Sequence, residues 1–208
     1  MGASGNSHAV IAADDRVAVC GDWRGDTSWL SRVATAIDVL TPDAKTILQL
    51  GDWWMAPVRT DAFLANTRIS RVYVTLGNHE PWGQLAPLLA DDPAWRDEGR
   101  DWWPDVAISD AQVLDATSAG RADVMLTHEV PASTPVDTLR TALQASRYLW
   151  PQHDLDESAP SRARVDHVWN SKRPHFLLHG HMHAPCLGQH AGGRRVVSLG
   201  VIGRRRAW

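Results

Sequence analysis

The sequence is short of several things, and each shortage closes a line of interpretation. Only two cysteines, Cys20 and Cys186, occur in 208 residues, with no second cysteine near either. That is no disulfide framework, and it fits a reducing compartment. No apolar run approaches the length needed to span a bilayer. The opening "MGASGNSHAVIAADD" has no basic stretch leading into an apolar one, so no secretory signal is expected. Asn6 stands where a myristoylation motif wants Ser or Thr. Repeats and low-complexity tracts are absent. The net charge of −3 gives no general attraction to nucleic acid or membrane. The arginines gather late, in "GGRRVV" and "GRRRAW", which reads as a solvated surface or tail before a phosphate-binding patch. A cytoplasmic protein without a membrane partner is expected.

What is present is a globular composition, 44% hydrophobic and 22% charged. The length suits one domain, expected over residues 16–208, behind a flexible segment over 1–15. Eleven tryptophans are many, with adjacent pairs at Trp53–Trp54 and Trp102–Trp103. Most belong in core or rim packing, with one or two available as an aromatic wall near a site.

"RVAVC" reads as a short strand that stops at Gly21-Asp22. Asp26 and Thr27 then offer N-caps for a helix. Trp29, Val33, Ile37 and Leu40 recur at helical spacing before Pro42. "TILQL" is a second strand, stopping at Gly51-Asp52. A helix around "DAFLANTRI" leads to the strand "RVYVTL", which stops at "GNHE". This β-α-β-α-β alternation implies a parallel sheet flanked by helices. Ligands in such sheets sit beyond the carboxyl ends of the strands.

Further on, "WGQLAPLLADDP" reads as a helix, "DEGRDWWPD" as a loop and "ISDAQVLDATSAG" as a helix capped by Ser109. "ADVMLTHEVP" is a strand and loop. Residues 131–160 look partly irregular. "SRARVDHVWNSK" reads as a helix, "HFLLHGHMH" as a strand running into a loop, and "RRVVSLGVI" as a last strand.

The strand ends collect Asp22, Asp52, Asn78, His79, Glu80, His128, His181 and His183 at one edge. Singly, each has an ordinary explanation: Gly-Asp after a strand is often a turn, and a lone histidine is usually structural. His8, His153, His167, His175 and His190 have no partner signal and are left as structural or surface. Together, the imidazoles, carboxylates and one amide oxygen form a mixed N/O donor set suited to Mn, Fe, Zn or Ni. Asp52 is central, and a carboxylate can bridge two cations. Paired ions roughly 3.5–4 Å apart can clamp a phosphoryl group and activate water. His79 would stand at the rim, where it could steady charge or protonate a leaving oxygen. Trp23, Trp53 and Trp54 flank two of the loops and could stack on a base, although packing is the ordinary role of such rings.

The ordered series "GDWRG", "GDWW", "GNHE", "THEVP" and "GHMH" resembles the calcineurin-like metallophosphoesterases, with actinobacterial and phage members nearest. The motifs span residues 21–183. The resemblance implies an α/β fold, a two-sheet β-sandwich flanked by helices. It implies one ion held by Asp22, Asp52 and His183, and a second held by Asp52, Asn78, His128 and His181. His79 would be the catalytic histidine, oriented by Glu80. The implied reaction is hydrolysis of phosphodiester or phosphomonoester bonds by metal-activated water, on a small molecule or nucleotide. Nucleic acid ranks lower as a substrate, given the charge.

Two departures stand out. Arg24 fills the place of a histidine that ligates the first ion, and a guanidinium has no lone pair to offer. Three readings follow: Arg24 contacts phosphate with fixed charge, water fills the gap at a first ion, or the site is decayed into a non-catalytic binding or scaffold module. The expectation is one retained ion at the second position and a weakened or absent first one. The spacing from His79 to His128 is also short for the family, so a reduced second sheet is expected.

Overall fold

The computed structural model describes residues 14–80, 108–134 and 152–200. Strand β1, Val17–Cys20, carries the alternating small and β-branched residues that suit a half-buried strand. Helix α1, Thr27–Leu40, follows and is capped by Asp26, whose side chain accepts from the backbone N–H groups of Ser28 and Trp29. Its buried stripe is Leu30, Ala34 and Ile37. Trp29 and Val33 pack at its margin, and Leu40 is left exposed. The observed stripe is thus rotated by one position from the expected one.

Strand β2, Thr46–Gln49, is central. Helix α2 spans Pro57–Leu64, starting and ending earlier than the expected "DAFLANTRI". Pro57 stands in its first turn, where a fixed φ and a missing N–H cost nothing. Strand β3 is Arg71–Val74. The three strands form a parallel sheet in the order β1-β2-β3, with Cys20, Gln49 and Val74 level. The loops after the strands therefore emerge side by side. Leu30, Ile37, Ile47, Met55 and Ile69 make the core between this sheet and its helices, together with Trp23 and Trp53.

The second sheet is built from the later chain. Helix α3, Asp110–Ser118, begins with the expected Ser109 cap, completed by Gln112 into a reciprocal capping box. Strand β4 is Val124–Thr127, and β5 is Phe176–His179. Between them lies helix α4, Gln152–Lys172, which takes in part of the stretch expected to be irregular. Pro160 sits inside it. Local propensity is overridden there by tertiary packing, since Val165 and Trp169 anchor the helix on Leu177 and Val196 of the sheet. Strand β6, Cys186–Gln189, was not foreseen in the sequence; it pairs antiparallel with β7, Arg195–Ser198. The order is β4-β5-β7-β6, with the first three parallel.

The fold is mixed α/β, two sheets of three and four strands flanked by helices. The expected helix in "WGQLAPLLADDP", the loop in "DEGRDWWPD" and the missing strand pair fall outside the described residues, as do residues 1–13 and the terminal "RRRAW". Of the arginines in "GGRRVV", Arg194 stacks over Trp169 at 4.3 Å and Arg195 lies near the Phe176 ring. Among the described residues, no helix is long and apolar enough to cross a membrane.

Asp14 ties the first sheet together at its opposite end. Its Oδ2 accepts from Thr46 Oγ1 at 2.6 Å and from the Lys45 N–H, and its Oδ1 accepts from Arg71 at 2.8 Å. The Thr46 hydroxyl, against some burial and with help from Lys45 and Arg71, holds this carboxyl below its ordinary 3.8. A depressed folded-state value means the stabilisation is complete above 3.8 and lost as pH falls through the folded value. Wild type and Asp14→Asn should therefore differ in urea midpoint at about pH 6, and the gap should narrow as pH falls through the folded-state value below 3.8. A constant gap across that range would show that the carboxylate charge contributes nothing.

Candidate metal centre

Three loops share one backbone shape. After Gly21, Gly51 and Gly180, the pairs Asp22/Arg24, Asp52/Trp54 and His181/His183 all adopt left-handed conformations, with φ between 48° and 64°. Such residues are rarely placed there without a surrounding structure that enforces it. The enforcement is visible in the residue between each pair: Trp23, Trp53 and Met182 are buried. Each loop drives one large apolar side chain into the core and turns its two flanking residues toward the seam. The first two loops are also bonded to each other, Asp22 N–H to Gly51 O, Arg24 N–H to Asp52 O and Gly25 N–H to Trp53 O.

The expected single edge is in fact two. Asp22, Asp52 and Asn78 come from loops of the first sheet, while His128, His181 and His183 come from loops of the second. Contact across the seam is direct. The His181 N–H donates to Asp22 Oδ1 at 3.2 Å, and His128 Nδ1 donates to the Leu50 carbonyl at 2.8 Å. Glycine is required for this approach: a Cβ on Gly51 would overlap the His128 ring, and one on Gly180 would meet Asp22 Oδ2 at 2.8 Å.

With its Nδ1 proton given to Leu50, His128 points the other ring nitrogen at acceptors. Nε2 is 3.0 Å from Asn78 Oδ1, 3.5 Å from Asp52 Oδ1 and 3.2 Å from His181 Nδ1. Acceptors crowd His128 Nε2, and a cation, whether a proton or a metal ion, balances them. Asp22, Asp52 and His128 can place ligand atoms within 4.8 Å of one another. Among the described residues, Asp22 Oδ2 and Asp52 Oδ2 are buried with no hydrogen-bond partner, a state that calls for an explanation such as an ion. A divalent metal fits this donor set. The outer partners fit as well, since a ligating imidazole characteristically donates its second nitrogen to a carbonyl or carboxylate. His128 has Leu50 O, and His181 Nε2 lies 3.6 Å from Glu129 Oε2.

Electrostatics follow the burial. Burial pushes Asp22 up to about 6, with His128 pulling it back and Asp52 adding to the rise. Burial pulls His128 down, but the Asp52 and Asp22 carboxylates outweigh it and leave the ring above its ordinary value. His181 falls well below the histidine range through burial and the neighbouring imidazoles. His183 falls to about 4, through burial and then Arg24. Both rings are thus neutral near pH 7 and carry lone pairs.

Every sequence-predicted site residue lies at this seam. His79 places its N–H on Asp52 Oδ1 at 3.0 Å, with its ring edge-on to Trp54 at 6.0 Å between centroids. Of the three tryptophans, Trp23 and Trp53 are core, their rings 5.1 Å apart, and Trp54 is 43% exposed. Glu80 commits its oxygens to the backbone N–H groups of Trp53, Trp54 and Gly77, so its observed work is to clamp loops together. Arg24 Nη2 lies 3.2 Å from His183 Nε2, and its Nε is 3.8 Å from Asp52 Oδ2. The sequence reading passed over Glu129, pushed up to about 7 by burial, and His179, a buried ring bonded to the Gly180 carbonyl. Both adjoin named motifs, Glu129 directly after His128 and His179 directly before Gly180-His181.

No curated protein matches the chain. Among solved structures, it is similar to a conserved uncharacterized protein of Streptococcus pneumoniae TIGR4, described as a predicted phosphoesterase. The two are 16% identical with a TM-score of 0.42, over 92% of this chain and 75% of that one. Residues 15–199 match the family model of the calcineurin-like phosphoesterases. On that match over most of its length, the chain belongs to the calcineurin-like phosphoesterase family.

Proposed function

We propose that the protein is a metal-dependent phosphoesterase that hydrolyses phosphodiester or phosphomonoester bonds of small molecules or nucleotides. The observation that carries this is the buried group Asp22, Asp52 and His128, whose ligand atoms lie within 4.8 Å of one another, with Asn78 Oδ1 and His181 Nδ1 beside His128 Nε2. Asp22, Asp52, Asn78, His128 and His181 would hold the ion. A divalent ion such as Mn, Fe, Zn or Ni would supply Lewis-acid polarisation of a phosphoryl oxygen and water activated near neutral pH.

The chain's own groups do the remaining work. Arg24, with 26% of its side chain exposed, presents fixed positive charge to a phosphate. His79, at the rim and fixed through its backbone N–H to Asp52, is placed to give a proton to the leaving oxygen. Asp52 sets the position of both, since its carboxylate takes the His79 N–H and faces Arg24. A cytoplasmic setting fits the two free thiols, Cys20 and Cys186. Small esters suit the protein better than nucleic acid, because the net charge of −3 gives no general attraction to a phosphate backbone.

Asp52→Asn should lower bound metal and cut hydrolysis of an aryl phosphodiester with added Mn²⁺ by about 100-fold or more. His79→Ala should slow turnover while leaving metal content unchanged. Full activity in Asp52→Asn would sink the reading. Metal bound by wild type without turnover of any phosphate ester would leave a binding module instead.

Trp54 is the exposed ring beside His79, and its expected role is to stack on the leaving group. Base–aromatic stacking is worth about 1–3 kcal/mol, so Trp54→Ala should raise KM for nucleoside esters about 10-fold. The same substitution should leave a simple alkyl phosphate nearly unaffected. Equal losses on both substrates would place the ring outside the substrate path.

A further inference from the structure

Arg24 does more than lie near a phosphate path. A guanidinium is always charged and only donates. At 3.2 Å from His183 Nε2, its Nη2 can make only one kind of contact, donation into the His183 lone pair. That lone pair is then taken. On its other side the guanidinium faces Asp52 Oδ2 at 3.8 Å, an oxygen with no hydrogen-bond partner. His183 Nε2 is also 4.0 Å from Asp22 Oδ1. The space framed by Asp22, Asp52 and His183 therefore already contains a positive charge held by the chain.

The remaining donors show the complementary pattern. Among the described residues, the group whose ligand atoms lie within 4.8 Å of one another is Asp22, Asp52 and His128, and neither His181 nor His183 is part of it. Asn78 Oδ1 and His181 Nδ1 lie beside His128 Nε2, whereas His183 Nε2 is engaged by Arg24. Arg24 is left-handed at φ 48°, with its N–H bonded to Asp52 O at 2.8 Å and Gly25 turned beneath Trp54. Its side chain is thus aimed at His183 by a backbone that the neighbouring loop fixes.

From this we infer that the centre takes a single divalent ion, and that Arg24 is a built-in cation replacing the ion that Asp22, Asp52 and His183 would otherwise share. The inference rests on the metal-dependent reading given above and concerns the count of ions. A second divalent ion would have to enter beside a fixed guanidinium and compete with it for the His183 lone pair, and both effects oppose entry. One ion and one guanidinium still outweigh the two carboxylates, so the centre remains attractive to a phosphate ester. The guanidinium cannot activate water as an ion does, so His183 works as an acceptor that positions Arg24 rather than as a ligand.

The test is stoichiometry, read without turnover. Chelator-stripped protein is titrated with Mn²⁺ and with Zn²⁺ by calorimetry, and the bound metal is counted after desalting. Wild type should take one equivalent. Arg24→His, which offers an imidazole at a left-handed position that histidine tolerates, should take two. Arg24→Ala opens the same space without a ligand and should take a second, weaker equivalent. His183→Asn should still hold one equivalent with unchanged affinity, with thermal melts confirming that each variant is folded. Two equivalents in wild type, one in folded Arg24→His, or loss of the ion in folded His183→Asn would each overturn the inference and leave the phosphoesterase reading standing. A wild type that binds no metal would remove that reading and this one with it.

Discussion

The structure depends on a seam where two sheets bring their loops together, and on the bond from the His181 N–H to Asp22 Oδ1 that crosses it. Asp22 belongs to the loop after β1, and His181 to the loop after β5. A second crossing, His128 Nδ1 to Leu50 O, runs from the loop after β4 to the end of β2. Neither sheet alone presents a complete set of donors. The parallel registers make the crossing possible, because they bring each strand of a sheet to the same level before its loop departs.

Charge balance at the seam follows from that closeness. Asp22 and Asp52 are almost wholly buried, and each has an oxygen without a hydrogen-bond partner among the described residues. Burial pushes the Asp22 carboxyl up to about 6, and the neighbouring Asp52 adds to the rise. The raised His128 and the lowered His181 are two faces of the same field. The ring nearest the carboxylates gains affinity for a proton, and the buried ring beside it then loses affinity. A group of this composition favours a cation heavier in charge than a proton, and Arg24 supplies part of that charge permanently.

Much of this was legible in the residues. The alternation of strand and helix through "GNHE" and the Asp26 and Ser109 caps follow from local rules, whereas the strand-end residues, expected on one edge, stand on the loops of two sheets. What escaped was either tertiary or conformational. Helix α4 extends back through Pro160 because Val165 and Trp169 are fastened to the second sheet, which no local propensity reports. Strand β6, "CLGQ", is short and has no strong alternation, and it exists by pairing with β7. The α1 stripe runs through Leu30, Ala34 and Ile37, and the small Ala34 carries no strong apolar signal in the sequence. Glu80 could not be separated from His79 in sequence, since only the fold shows that its carboxylate meets the loop of Trp53 and Trp54.

The repeated loop shape explains why the site's costs can be carried. Six non-glycine residues at the rim are left-handed, at about 1–2 kcal/mol each for an L-residue. The same loops place Trp23, Trp53 and Met182 in the interior, and burial of such side chains is worth about 1.5–3 kcal/mol apiece. Strain and anchor therefore sit in the same short segments: the middle residue holds the turn down and the flanking residues are turned toward the seam. Glu80 adds the lateral restraint that keeps the Asp52 loop beside Gly77. A chain that needed only stability would fill these positions with glycine, which adopts the shape freely. Keeping Asp, Arg and His there makes sense because their side chains must reach a common point, and the bulky residue between each pair is what lets the backbone hold them to it.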